Sequence, residues 1–353
     1  MSKSALVIGA SGIIGSILAE HLVAKGWAVE GLARRPVALR GVTPLAVDLL
    51  DPPALHACLE NSQASHVFYT SWSRQATEAE NCRVNGAMIR HLCDALADVP
   101  TLRHFALVTG LKHYLGPFEA YGTQAPATPF REEQPRLPIA NFYYTQEDEL
   151  LAFAARRGIS WSVHRPHTVI GHALGNAMNM GVTLAAYATI CRETGQPFVF
   201  PGTLAQWHAL TDFSDGALIA EQLEWAATNP AAANQAYNVV NGDVVRWSWL
   251  WGQVAAFFGL PEAPFTGQPQ PLAQQMANAA PVWASLAARH GLIEADIARV
   301  ASWWHTDANL HLGIDCIADV SKSRKAGFNQ YRCTPDALFD LFRALRAARI
   351  IPG

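Results

Sequence analysis

Apolar and polar positions in the first half of the chain predict strands and helices in turn. Residues 4–8, SALVI, are a short apolar run that ends in GASGIIG. SILAEHLVAKG then carries apolar residues at helical spacing and stops at Gly26. WAVEGLARRP follows as a strand ended by basic residues and Pro36, and VTPLAVDLL leads to a helix in DPPALHACLE. SHVFYTSW precedes a helical TEAENCRVNGAMIRHLCDAL, and TLRHFALVTG runs into a loop. This alternation predicts the α/β class, with a doubly wound parallel sheet covered by helices on both faces.

The regularity fades after ISWSVHRPHTVIG (159–171). Tryptophan becomes frequent from about residue 245 onward, with 11 in the chain. WSWLWGQVAAFF (247–258) and VASWWH (300–305) read as helices with aromatic faces, and Trp247, Trp249 and Trp251 as core of a smaller, mostly helical lobe. The strand-like QAYNVVNG (235–242) belongs with the sheet. The expected division is therefore 1–173 for the sheet domain and 174–353 for a lobe covering a substrate, with 206–242 returning to the sheet.

Composition narrows the function. Half of the 353 residues are hydrophobic, enough for a substantial core, and 16% are charged. A formal net charge of −3 argues against a nucleic-acid partner. No run of 18 apolar residues suggests a membrane span, and the N-terminus has no secretory pattern, so a cytoplasmic protein is expected. Six scattered cysteines with no CxxC indicate neither zinc nor disulfides, and read as buried free thiols.

Gly9-Ala-Ser-Gly12-Ile-Ile-Gly15 sits between the first strand and the first helix. Small residues there let the backbone approach a pyrophosphate at the helix N-terminus, which points to a Rossmann-like dinucleotide site. Arg34 and Arg35 end the second strand where a carboxylate would bind a ribose diol. Two arginines suit a 2′-phosphate instead and favour NADPH over NADH. Asp48 is placed either to accept from an adenine amino group or to cap the helix at 51–60.

Chemistry is expected where NFYYTQEDELL (141–151) begins a helix. A tyrosine, with a reference pKa of about 10, needs a cation to work near neutral pH. Lys112, in the loop Thr109-Gly-Leu-Lys-His-Tyr114 after FALV, points to the same crevice and would lower the phenol's pKa. His113, His164 and His167 show no metal-ligand spacing, so no metal is expected, and Asp212 and Asp215 read as a turn and a helix cap.

These blocks, with TGLKHYLGPFEAYG and PRLPIANFYYTQED the most distinctive, resemble the progesterone 5β-reductase/iridoid synthase-like (PRISE) enone reductases. These form a group within the short-chain dehydrogenase/reductase superfamily, and a bacterial-type member is suggested. ENCRVN, AYNVVNGDVVRW and KSRKAGF extend the likeness over nearly the whole chain. The superfamily's usual Tyr-x-x-x-Lys is missing, since Glu147 stands where the lysine would be; Glu147→Lys would recreate the spacing.

The resemblance implies an extended short-chain dehydrogenase/reductase architecture, with Tyr143 and Lys112 as catalytic residues. It implies NADP(H) contacts at Ser11, Gly12, Ile13, Arg34, Arg35, Asp48, Leu49, Ser71, Trp72, Val169, Asn176, Ala177 and Met178, beside Gly9 and Gly15 of the glycine loop. Val108 stands near the cofactor where plant members carry glutamine, so one polar contact is lost. Trp72, Phe118, Tyr121 and the Met178–Met180 stretch are candidate pocket walls. The implied reaction is NADPH-dependent 1,4-reduction of an enone, 3-oxo-Δ4-steroids included, by a chain compatible with a homodimer. Rival readings are a nucleotide-sugar epimerase or dehydratase, and a redox-sensing regulator that binds NADP without turnover.

Overall fold

The computed structural model describes residues 3–117, 120, 127–173, 175–176, 178–261 and 263–353. Its strands are β1 (Ser4–Ile8), β2 (Ala28–Ala33), β3 (Val42–Ala46), β4 (His66–Tyr69), β5 (His104–Val108), β6 (Ser160–Pro166), β7 (Val169–Ile170), β8 (Leu210–Thr211), β9 (Ser214–Asp215), β10 (Gln235–Val239) and β11 (Val245–Arg246). The helices are α1 (Ile13–Ala24), α2 (Pro52–Leu59), α3 (Glu78–Ala95), α4 (Lys112–Leu115), α5 (Phe142–Arg157), α6 (Met180–Thr194), α7 (Leu204–His208), α8 (Gly216–Thr228), α9 (Trp247–Phe257), α10 (Leu272–Gln275), α11 (Ala279–His290), α12 (Ile297–Val300), α13 (Trp303–Leu310), α14 (Ser321–Lys325) and α15 (Thr334–Ala347).

Seven strands form one parallel sheet in the order β3-β2-β1-β4-β5-β6-β10. The unbroken apolar runs follow from its two covered faces. On β1, Leu6 and Ile8 join a core with α2, α3 and α5, while Ala5 and Val7 join a second core with α1 and α8. The edge strand β3 is largely exposed and carries Pro44, which an edge tolerates because no further strand needs its N–H. Because β10 completes the sheet and α8 packs on α1, the chain returns to this domain after starting the second lobe.

A separate core holds the helical lobe, built on α6, α9, α11 and α15 around Tyr187, Phe198, Trp247, Trp251 and Trp283. Trp249 departs from the expected tryptophan core: it is 52% exposed, because α9 turns only Trp247 and Trp251 inward. VASWWH also departs from one helix. The Ser302 N–H donates to Thr183 Oγ1 in α6 at 3.1 Å, and the chain breaks there into α12 and α13. The six cysteines are free thiols; Cys93, Cys191 and Cys316 are buried, but Cys333 is exposed. No helix among the described residues is long and apolar enough to cross a membrane.

Candidate active site

All seven sheet strands point the same way, so their carboxyl ends open on one edge, and the order reverses between β1 and β4. A cleft of about 1750 Å³ lies there. The segments after β1, β2, β3, β4, β5 and β6 form one wall, and the start of α6 with α10–α13 forms the other.

At the nucleotide end Gly9 adopts φ +84°, and a Cβ there would sit 3.1 Å from Thr70 Oγ1. Gly12 precedes α1 with no side-chain cap, so the first N–H groups of that helix are left for a ligand. Gly9, Ser11, Gly12 and Ile13 line the cleft. Gly15 lies behind the turn, where a Cβ would overlap the Gly9 carbonyl, so this glycine lets α1 pack on the turn.

Arg34 and Arg35 are exposed at the cleft wall just past β2. Asp48 also lines the cleft, and its Oδ1 accepts from the Leu50 N–H at 3.0 Å. Asp51, not Asp48, caps α2, through the Ala54 N–H. Leu49, Ser71, Trp72, Val108, Val169, Asn176, Met178 and Met180 share the lining. Ala177, Phe118 and Tyr121 fall outside the described residues.

The start of α5 is pinned by two neighbouring segments. Asn141 caps it, accepting the Tyr143 N–H at 3.0 Å, and donates through Nδ2 to the Lys112 carbonyl at 2.7 Å. Glu78 accepts the Phe142 N–H at 2.7 Å. Tyr143 and Lys112 thereby face the same cleft. The Tyr143 hydroxyl lies against Gly110, where a Cβ would come within 3.2 Å of it. Lys112 is 7% exposed, and its Nζ is 5.2 Å from the Trp72 ring centre and 5.1 Å from that of Phe142. Tyr144 turns inward instead. Its hydroxyl donates to the His113 carbonyl at 2.6 Å and accepts the Leu137 N–H at 3.0 Å.

Two electrostatic expectations are corrected. The Tyr143 phenol is not lowered in pKa: burial, then the Glu78 carboxylate, push it up, so the group is a neutral O–H donor. Nor is position 147 open to a lysine. Glu147 is buried, with Arg136 Nη2 at 2.9 Å, Arg165 Nη2 at 3.4 Å and His113 Nδ1 at 3.7 Å. Burial opposes its charge, but His113, Arg165 and Arg136 together hold its pKa down to about 2. A lysine there would add a cation beside two arginines.

His167 and Asp212 were passed over by local pattern. His167 lines the cleft, and its Nδ1 is 2.7 Å from Asp212 Oδ1. Burial opposes the imidazolium, but Asp212 and Cys316 raise its pKa to about 10. Asp212 also accepts the Ala318 N–H at 2.7 Å, so it ties distant segments together and does not organise a turn. Asp215 does cap α8, through the Ala217 and Leu218 N–H groups. Arg74, Trp303, Trp304 and His305 are further lining residues that sequence reasoning missed. The aromatic VASWWH stretch was the available signal for the last three.

Comparison with known proteins bears on the family and the fold. Residues 56–352 match the family described as the PRISE-like Rossmann-fold domain. An (S)-8-oxocitronellyl enol synthase from Camptotheca acuminata is 38% identical over 364 residues, covering 99% of this chain and 93% of its own length. A 3-oxo-Delta(4,5)-steroid 5-beta-reductase from Arabidopsis thaliana is 37% identical over 362 residues, again covering 99% and 93%. These are plant proteins and lend no support to a bacterial-type assignment. Among solved structures, a UDP-glucose 4-epimerase from Thermotoga maritima superposes with a TM-score of 0.69 over 98% of this chain and 99% of that one. At 15% identity that likeness speaks for the fold alone. On the family match and the near full-length relatives, the chain belongs to the PRISE-like Rossmann-fold family.

Proposed function

We propose that the protein is an NADPH-dependent reductase of the C=C bond of α,β-unsaturated carbonyl compounds. The observation that carries this reading is the convergence of Tyr143 and Lys112 on a cleft whose other end is the glycine loop with Arg34 and Arg35. The uncapped start of α1 suits a pyrophosphate, and the arginine pair suits a 2′-phosphate. The relative named a steroid 5β-reductase acts on a 3-oxo-Δ4,5 compound, whose alkene is conjugated to a carbonyl, and so supports the same class of substrate.

A bound nicotinamide would supply hydride to the β-carbon of the alkene. The chain's own work is at the carbonyl oxygen, where negative charge gathers as the enolate forms. Tyr143 donates its hydroxyl proton in a hydrogen bond to that oxygen. Burial and Glu78 keep the phenol protonated, so the donor persists as charge develops. Lys112 adds positive potential from a site 7% exposed, where screening by water is weak. Proton uptake at the α-carbon completes the reduction. An epimerase-type site with lysine four residues after tyrosine finds no support, because Glu147 is engaged by Arg136 and Arg165.

The test is NADPH absorbance with and without 2-cyclohexen-1-one, for the parent and for Lys112→Met, alongside direct NADPH titration. Enone-dependent oxidation in the parent and a sharply lower kcat in the variant, with NADPH still bound, are expected. A parent that oxidises no NADPH with simple enones, or a variant at the parent rate, would overturn the assignment.

A further inference from the structure

We propose that the catalytic end of the cleft selects enones that carry a carboxylate, and that Arg74 receives it; this rests on the enone-reductase reading above. Among the described residues, the charged side chains around the cleft are Arg34, Arg35, Arg74, Lys112 and Arg299 against the single carboxylate of Asp48, with the histidines His167 and His305 apart. Arg34 and Arg35 belong to the nucleotide end, and Arg299 is paired with Glu294 at 2.6 Å. Lys112 serves the oxyanion. Arg74 is left, and no acid among the described residues pairs with it.

Its position is built. The Ser73 N–H donates to Asn85 Oδ1 and the Gln75 N–H to Asn81 Oδ1, both at 2.7 Å, so the backbone is pinned on either side of Arg74. Both asparagines are buried in α3. The guanidinium lies 3.9 Å from the ring centre of Trp304, which α13 brings over from the helical lobe. A guanidinium stacked on an indole keeps its in-plane N–H fork available, and that fork matches a carboxylate. Arg74 also stands at the Lys112 end: besides burial, His305 feels the charges of both Lys112 and Arg74, which hold its imidazole neutral. A substrate with its carbonyl at Tyr143 and Lys112 therefore meets a second cation further along the cleft, where the loop after β4 meets Trp304 of α13.

The experiment compares two enals that differ only in charge, 8-oxooct-6-enoate and its methyl ester, with 2-cyclohexen-1-one as a neutral reference. A charge-assisted hydrogen bond predicts that the parent prefers the acid by about tenfold or more in kcat/KM. Arg74→Gln is expected to remove that preference through KM, and Arg74→Glu to reverse it. Equal use of acid and ester by the parent would overturn the proposal. So would an Arg74→Gln variant that loses NADPH affinity to the same degree, since the arginine would then serve a cofactor phosphate. If neither enal nor 2-cyclohexen-1-one drives NADPH oxidation, the enone-reductase reading itself fails and takes this inference with it.

Discussion

Replacing each of the adjacent tyrosines with phenylalanine should give opposite results. Tyr144→Phe removes a hydroxyl that donates to the His113 carbonyl at 2.6 Å and accepts the Leu137 N–H at 3.0 Å, from a side chain 7% exposed. The His113 end is buried, so its carbonyl is left without a partner, at a cost of about 1–3 kcal/mol. Leu137 is half-exposed, and water can replace the lost acceptor there. The ring itself, with Arg136 stacked 4.9 Å from its centre, is retained. A stability loss of roughly 2 kcal/mol with kcat close to the parent's follows.

Tyr143→Phe removes a hydroxyl that faces Gly110 and the cleft, so stability should stay within about 0.5 kcal/mol. The rate of enone reduction should fall by about 10²–10³, the usual loss for one oxyanion donor. Urea unfolding followed by the fluorescence of the 11 tryptophans reads the first quantity, and steady-state NADPH oxidation the second. An inactive Tyr144→Phe with parent stability, or a Tyr143→Phe that turns over at the parent rate, would refute this division of roles.

Three further expectations follow from the same geometry. Replacing Arg34 and Arg35 together with alanine should weaken NADPH binding and leave NADH binding little changed; equal losses in a fluorescence titration would sink the 2′-phosphate assignment. Asn141→Ala should cost about 1–3 kcal/mol and lower kcat, while Asn141→Asp keeps the cap but loses the donor to the Lys112 carbonyl, so it should keep more stability than activity; parent kcat in both would show that the tether does not matter. Glu147, held at about 2 against an ordinary 4.5, contributes stability that is fully present above about pH 4.5 and lost as pH falls toward 2, some 3 kcal/mol in order of magnitude. The parent's urea midpoint should therefore fall more steeply than that of Glu147→Gln across that window, and parallel curves would count against the buried ion cluster.

What could be read from the chain depended on how far apart the interacting residues lie. SALVI with GASGIIG announces a buried strand meeting a helix start, because turn, strand and helix N-terminus are consecutive in sequence. NFYY announces a capped helix start for a similar reason: the capping asparagine adjoins the tyrosine it positions. The polar environments were not legible. Nothing near Glu147 in sequence shows that Arg165 closes on it, and His167 meets Asp212 across 45 residues. The pKa of Tyr143 was misjudged on the same grounds. Lys112 was visible as a possible cation, but the dense surroundings of the phenol and the carboxylate of Glu78 come from folding α3 and α5 together. Raised in this way, the phenol keeps its proton and faces the cleft as a neutral O–H donor. In the proposed reaction, the charge of Lys112 and the proton of Tyr143 are then separate duties, and Asn141 ties together the starts of the two helices that carry them.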